Sequence, residues 1–294
     1  MARRILPKLV IFGDPTKGDV GAALEEFRGF AKGKVEIIAS CGIDKCTLDI
    51  LEDADFAIVF GGDGTIISAA RQLSECNVPV IGVNLGKLGF LAEFSVEELK
   101  EHFDSIINGE AGIEKRMMLR CVVSREGQEQ VHSVAINDVF ITSGPPFGMV
   151  ELKISVDGQP LAGCVSDGLI ISTPTGSTAY NLSAGGPIIA GKVEGMVITP
   201  ICPHSLSFRP IVINANSKVE VVGVRVNEGT TVSIDGQISC KLATVAVVKV
   251  EKHDGDFLVV HNPLRTAWDT LATKLGWAEK LKYNSGRQCR SSGR

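Results

Sequence analysis

The chain has 294 residues, of which 44% are hydrophobic and 22% charged, with a formal net charge of −4. That balance suits one large globular domain or two ordinary ones. It excludes the basic face that nucleic acid or an anionic membrane surface requires, and no apolar run approaches a membrane span.

The first third alternates short apolar runs with helical patterns. Strands are expected at residues 9–13, 35–39, 56–60 and 78–83. Helices are expected at 21–32, from 65 to about 75, and from Ser95, where Glu98 three residues on completes a capping box. Such alternation predicts an α/β domain with a parallel sheet over residues 1–112. From Ile113 the rhythm changes to strand-like segments at 118–124, 133–142, 150–156, 164–172, 193–199, 209–213, 219–224, 230–234 and 243–250. Asp157-Gly158 and Asp235-Gly236 are tight hairpin signals among them. An all-β domain is therefore expected over residues 113–262. A helix over 266–280, within a closing segment of 263–283, is expected to pack back on the first domain, and 284–294 to be a disordered tail. No Ser/Gly/Pro linker separates the halves, which predicts a cleft between them where a small molecule binds.

Eight cysteines, Cys41, Cys46, Cys76, Cys121, Cys164, Cys202, Cys240 and Cys289, are scattered without a C-x-x-C pair. They read as reduced thiols, not as a disulfide frame or zinc site. The basic start is interrupted by Pro7 and Lys8 with no small-residue cleavage site after it, so a cytoplasmic protein is expected.

Gly61-Gly62-Asp63-Gly64-Thr65 closes the apolar run 56–60. Glycines there let the backbone turn its N–H groups toward a phosphate, and the following helix adds its N-terminal dipole. Asp63 reads as a base, a metal ligand or a turn residue. Ligands of open α/β sheets bind at this carboxyl edge of the strands. No G-x-G-x-x-G follows a strand, Asp19 stands where a P-loop needs Lys, and no G-x-S-x-G appears. A second constellation runs from Ser166-Asp167-Gly168 through Thr173-Pro174-Thr175-Gly176-Ser177-Thr178-Ala179-Tyr180, with Gly185-Gly186-Pro187 soon after. Its hydroxyls suit sugars and phosphates, although Ser/Thr/Pro/Gly clusters are also plain loops. Asn137-Asp138 interrupts an apolar strand, as a ligand contact or as a structural bulge. In the glycine-spaced loop 84–91, Phe90 reads as a base-stacking or a core ring. His204 reads as structural.

Together these motifs resemble the NAD kinase family. The Gly-Gly-Asp-Gly-Thr loop, the Leu-Gly-Phe loop, the Asn-Asp pair and the signature over 167–187 all match, and the likeness spans roughly residues 9–275. The resemblance implies a sandwich-like second domain and transfer of a phosphoryl group from ATP to the adenosine-ribose 2′-hydroxyl of NAD. The product is NADP, and a divalent metal, magnesium, takes part. It implies Asp63 as the base and Gly61, Gly62, Gly64 and Thr65 as phosphate contacts. It also implies Asp63, Gly64, Phe90, Asn137, Asp138, Asp167, Thr178, Ala179, Tyr180, Asn181, Ser183 and Gln237 around NAD. Polyphosphate is the alternative donor, and a dimer or tetramer is the family's habit. Val165 stands near Asp167, where many bacterial members carry a basic residue, so no preference between NAD and NADH carries over. Two rivals remain: a lipid kinase, which shares the glycine loop but usually follows its Thr with Asn-Glu, and a non-catalytic nucleotide sensor. From sequence, Asp63→Asn is expected to keep NAD binding and lose about 10²–10⁴ in turnover.

Overall fold

The structure, a computed structural model, describes residues 6–42 and 46–277. In chain order the first part contains β1 (Lys8–Phe12), α1 (Gly18–Ala31), β2 (Glu36–Cys41), α2 (Leu48–Glu52), β3 (Phe56–Phe60), α3 (Asp63–Gln72), β4 (Val80–Val83) and α4 (Val96–Ile107). Leu9–Phe12 and Ala57–Phe60 are unbroken apolar runs with every residue buried, because helices cover both faces of the parallel strands. Phe27 of α1 meets Phe60 and Phe103 of α4 at 5.6 and 5.4 Å between ring centroids. Each ring fully removed from water contributes roughly 2–3 kcal/mol. Ser95 and Glu98 form the expected capping box at the start of α4.

The second part follows with β5 (Ile113–Arg125), β6 (Gln128–Ala135), β7 (Asp138–Thr142), β8 (Val150–Val156), β9 (Gln159–Ser166), β10 (Gly168–Ser172), α5 (Tyr180–Ser183), β11 (Gly195–Ile201), β12 (Ile211–Asn214), β13 (Val219–Arg225), β14 (Thr231–Ile234), β15 (Ile238–Lys241), β16 (Val247–Val260) and α6 (Ala267–Lys274). The architecture is a mixed sheet, parallel in its first strands, packed with an antiparallel all-β layer. One sheet runs β2-β1-β3-β4-β16-β13-β8-β9, with β5 along β16 and β6 beside β5. The other runs β12-β11-β10-β7-β14-β15. Leu119, Val150, Val221 and Val248 from the first sheet interlock with Ile141, Ile171, Ile198 and Val232 from the second. The long strand β16 pairs β13 near its start and β4 through Val259↔Val80 near its end, so the parallel and antiparallel regions form one continuous sheet.

Both hairpin signals form turns with positive φ, 51° and 75° at Asp157-Gly158, which alone join β8 to β9, and 52° and 66° at Asp235-Gly236, within a three-residue connection between the paired Ile234 and Ile238. Two expected strands divide. Residues 133–142 break after Ala135 and residues 164–172 at Asp167, and each chain passes from one sheet to the other there. Periodicity cannot register that change of partner.

Three further expectations change. The helix expected from Thr65 begins at Asp63, because extended Gly62 is its N-cap. The closing helix stops at Lys274, not 280. Gly276 takes φ +71°, its N–H donates to Thr273 O and that of Trp277 to Ala272 O, which is a Schellman end. Cys41 and Cys46 are joined in a disulfide, not reduced. The end of β2 and the approach to α2 bring their Cα atoms to 5.8 Å, within bonding reach. The expected tail and Cys289 lie outside the described residues. Among the described residues no helix is long and apolar enough to cross a membrane.

Candidate functional site

Asp63 occupies the first turn of α3, at the carboxyl end of β3. Its Oδ1 accepts hydrogen bonds from the backbone N–H groups of Leu91 (2.9 Å) and Ala92 (3.1 Å), and its Oδ2 from Phe90 (2.9 Å). The glycine-spaced loop is thus wrapped around the carboxylate and holds it in one orientation, while Oδ2 keeps a second lone pair. Gly89 makes this approach possible, since a Cβ there would lie 2.1 Å from Asp63 Oδ1. Gly62 supplies no side-chain cap, so the first N–H groups of α3 stay available to an anion. Phe90 is partly buried, and Lys274 Nζ of α6 stands 5.4 Å over its ring while donating to Leu88 O at 2.8 Å.

The other half is tied to α3 by the turn after β14. Gln237 Nε2 donates to Gly64 O at 2.8 Å, and its Oε1 accepts from Ser68 Oγ at 2.6 Å and Arg71 Nη2 at 3.1 Å. Sequence reasoning did not single out Asp235, Ser68 or Arg71. The Asp235 side chain has no exposure and accepts from the N–H groups of Ile136 (2.9 Å), Asn137 (2.7 Å) and Asp138 (3.1 Å), with Arg71 Nη2 3.7 Å away. This carboxylate shapes the break between β6 and β7. Burial pushes its pKa up, against the three N–H donors and Arg71. The Asp235-Gly236 hairpin signal reveals the turn but not that its side chain grips another strand.

Asn137 and Asp138 therefore enter β7 with their backbone set from below. Asp138 is 3% exposed, its carboxylate accepts the Tyr180 N–H, and its Oδ2 has no partner among the described residues. Desolvation first and the Asp235 charge second push its pKa up to about 7. Tyr180 is 38% exposed and meets Phe140 edge-on at 4.9 Å, leaving an aromatic surface beside that orphan oxygen.

The hydroxyl-rich loop spends much of its polarity on itself. Thr173 Oγ1 donates to Ile136 O at 2.6 Å and Ser177 Oγ to Pro174 O at 2.6 Å, while Thr178 Oγ1 reaches Thr175 O at 3.2 Å. Asn181 is fully buried. Its Nδ2 donates to Ser177 O and Pro187 O, and its Oδ1 accepts from Thr199 at 2.6 Å, so it acts as an internal strut. Ala179 is partly exposed and Ser183 exposed on the short α5. Asp167 is exposed but stands at the opposite end of β10 from Ser172, which pairs with Asp138. That is roughly 17 Å along the strand at about 3.4 Å per residue. The structure thus gathers Gly61, Gly62, Asp63, Gly64 and Thr65 with the 84–92 loop and Gln237. It sets Asn137, Asp138 and Tyr180 in a second group, with Asp167 apart. Among the described residues, no group of three or more His, Cys, Asp or Glu could hold a metal ion.

Two family models match the chain: the ATP-NAD kinase N-terminal domain over residues 43–111 and the ATP-NAD kinase C-terminal domain over residues 136–262. An NAD kinase of Rhodopirellula baltica is 36% identical over 276 residues, covering 94% of this chain and 88% of the relative. One from Desulforamulus reducens is 45% identical over 236 residues, covering 80% and 78%. Among solved structures, yeast NADH kinase complexed with NADH matches with a TM-score of 0.84 at 25% identity, covering 96% of this chain and 90% of that one. An NAD kinase from Archaeoglobus fulgidus in complex with ATP matches with a TM-score of 0.71 at 26% identity, covering 88% and 94%.

Proposed function

The chain belongs to the NAD kinase family, and from that premise we propose that it moves the terminal phosphoryl group of ATP onto the adenosine-ribose 2′-hydroxyl of NAD, giving NADP. As a member of that family it is a kinase, so the lipid-kinase and sensor alternatives fall away. The observation that carries the proposed chemistry is the Asp63 carboxylate, clasped by residues 90–92 with one lone pair of Oδ2 left to receive a proton. A ribose hydroxyl is a weak nucleophile at neutral pH, and a carboxylate that takes its proton as phosphorus approaches lowers the barrier. The uncapped start of α3 supports binding of the phosphates through N–H groups and dipole. A lone carboxylate already engaged by three N–H donors does not make a resident metal site. The divalent cation, magnesium in this reading, therefore belongs to the triphosphate as part of the substrate.

The orphan Oδ2 of Asp138 and the exposed Tyr180 support a hydrogen-bonding and stacking seat for part of the dinucleotide. Asp167, a strand's length away, would meet only a distant part of an extended NAD. A homo-oligomer, the family's habit, and a cytoplasmic location accompany this reading. The direct test is incubation with NAD, ATP and Mg²⁺, with NADP read by an NADP-specific dehydrogenase. NADP formation is expected, and its absence from folded protein removes the reading.

A second expectation concerns pH. With its pKa raised to about 7, Asp138 holds a proton in the free protein below that pH. A ligand hydroxyl or amide donating to Oδ2 favours the carboxylate, so NAD binding tightens as pH rises through about 7 and then levels. Calorimetry is expected to give a Kd about tenfold weaker at pH 6 than at pH 8, the ratio of the ionised fractions. Asp138→Asn should flatten that dependence, and an equal dependence in the variant would dissociate it from Asp138.

A further inference from the structure

The turn Asp235-Gly236-Gln237 holds both groups of the candidate site with its two long side chains. The Asp235 carboxylate accepts the N–H groups at the break before Asn137 and Asp138. The Gln237 carboxamide grips the first turn of α3, where its Nε2 donates to Gly64 O at 2.8 Å. Gly236 between them takes φ 66°, the left-handed conformation that residues with a Cβ rarely adopt.

The first turn of α3 needs such a hold. Gly61, Gly62 and Gly64 surround Asp63, and glycine loses more freedom than any other residue when a helix orders it. Gly62 offers no side-chain cap, and the opening hydrogen bonds run from the N–H groups of Thr65 and Ile66 to one carbonyl, Gly62 O, at 2.9 and 3.2 Å. A helix start of this composition frays. The openness that leaves N–H groups to an anion therefore also loosens the backbone that carries the carboxylate. Residues 90–92 fix the carboxylate itself, and Gln237 fixes the chain one residue beyond it.

Gln237 is itself locked. Its Oε1 accepts from Ser68 Oγ at 2.6 Å and from Arg71 Nη2 at 3.1 Å, about one and two turns further along the same helix. Arg71 Nε donates in turn to Val134 O at 3.4 Å, next to the strand break. The sequence pattern placed Gln237 among the contacts to NAD, yet both polar atoms of its side chain are engaged with protein groups. Freezing a long side chain costs rotamer entropy, and here that cost is met to join two elements of the fold.

We propose that Gln237 is a positioning residue for phosphoryl transfer: by gripping Gly64 O it fixes the Asp63 turn at a set distance from the Asn137-Asp138 seat. The proposal rests on the kinase reading above and adds what sets its geometry. Proton abstraction needs heavy atoms within about 2.6–3.2 Å, and an error of about 1 Å costs about 10²-fold in rate. Asp235 and Gln237 stand two residues apart, so one short turn sets the spacing of base and seat.

The test compares Gln237→Ala with Gln237→Glu. The first removes the side-chain bonds to Gly64, Ser68 and Arg71, whereas the second keeps an acceptor for Ser68 and Arg71 and, ionised at neutral pH, has no proton for Gly64 O. Both variants are expected to lower kcat about 10–100-fold while KM for NAD and for ATP stays within about twofold, the pattern of an interaction felt in the transition state and not in substrate binding. Hydrogen–deuterium exchange is expected to quicken at the amides of residues 66–68 and to stay unchanged at the capped start of α4. A raised KM for NAD with kcat retained makes Gln237 a substrate contact and overturns the proposal. A lower melting temperature with kcat unchanged per folded molecule gives it a structural role alone and overturns the proposal as well. So does a Gln237→Glu variant as active as the parent. If Gln237→Ala does not fold, Gln237→Glu carries the same readings. A parent protein that makes no NADP refutes the kinase reading separately, because exchange at residues 66–68 still reports whether Gln237 holds α3, and unchanged exchange refutes that hold.

Discussion

Replacing Asp63 by Asn is expected to lower kcat for NADP formation by about 10²–10⁴, the usual worth of a general base. The geometry adds a second loss that the sequence does not foresee. Both carboxylate oxygens accept backbone N–H groups from residues 90–92, and an amide presents an NH₂ to at least one of them. Two donors then face each other, a mismatch of about 1–3 kcal/mol. The Leu-Gly-Phe loop loosens, so the KM for NAD rises together with the fall in kcat, contrary to the retained binding expected from sequence. Steady-state kinetics with each substrate varied in turn separates the two effects. Turnover within a few-fold of the parent would remove Asp63 from the chemistry. An unchanged KM with a large loss of kcat would leave it the base but not the clasp.

Asp235→Ala should be the most destabilising single change at the site. Its carboxylate is sealed from water, serves the N–H groups of Ile136, Asn137 and Asp138, and faces Arg71. Deleting it leaves three backbone N–H groups without their acceptor and removes the anion beside Arg71, which keeps its bonds to Gln237 and Val134 O, a loss of about 3–5 kcal/mol for removing one partner of a buried charged cluster. Urea unfolding followed by circular dichroism measures that loss. Asp235→Asn should fall between the two, since its single oxygen can replace Oδ1 for Asn137 and Asp138 while its NH₂ meets the Ile136 N–H. Because the backbone of Asn137 and Asp138 hangs from this group, NAD affinity in the Asn variant should fall more than kcat. A stability loss below about 1 kcal/mol in Asp235→Ala would mean that the turn is held by its backbone alone.

Asp63 was legible as chemistry because glycines bracket a carboxylate after an apolar run, a local pattern with a local cause. Asp235 was legible only as half of an Asp-Gly turn, because its partners lie almost a hundred residues away along the chain. The same limit applies to the thiols. A five-residue spacing between Cys41 and Cys46 does not reveal that β2 ends facing the approach to α2. The hydroxyls of residues 172–178 looked available for a ligand, yet several bond to neighbouring carbonyls.

What the sequence determined by itself is set by short-range physics: buried parallel strands as continuous apolar runs, the Ser95–Glu98 cap, the two Asp-Gly hairpins and the glycine loop around Asp63. Only the tertiary structure decided where two runs of strand change sheets, which carboxylate anchors the Asn137-Asp138 break, and which hydroxyls remain free. It also decided that Phe90, whose N–H holds Asp63, lines a cavity of about 610 Å³. Those outcomes depend on which distant donor meets which acceptor once water is excluded, and no spacing along a chain encodes that pairing.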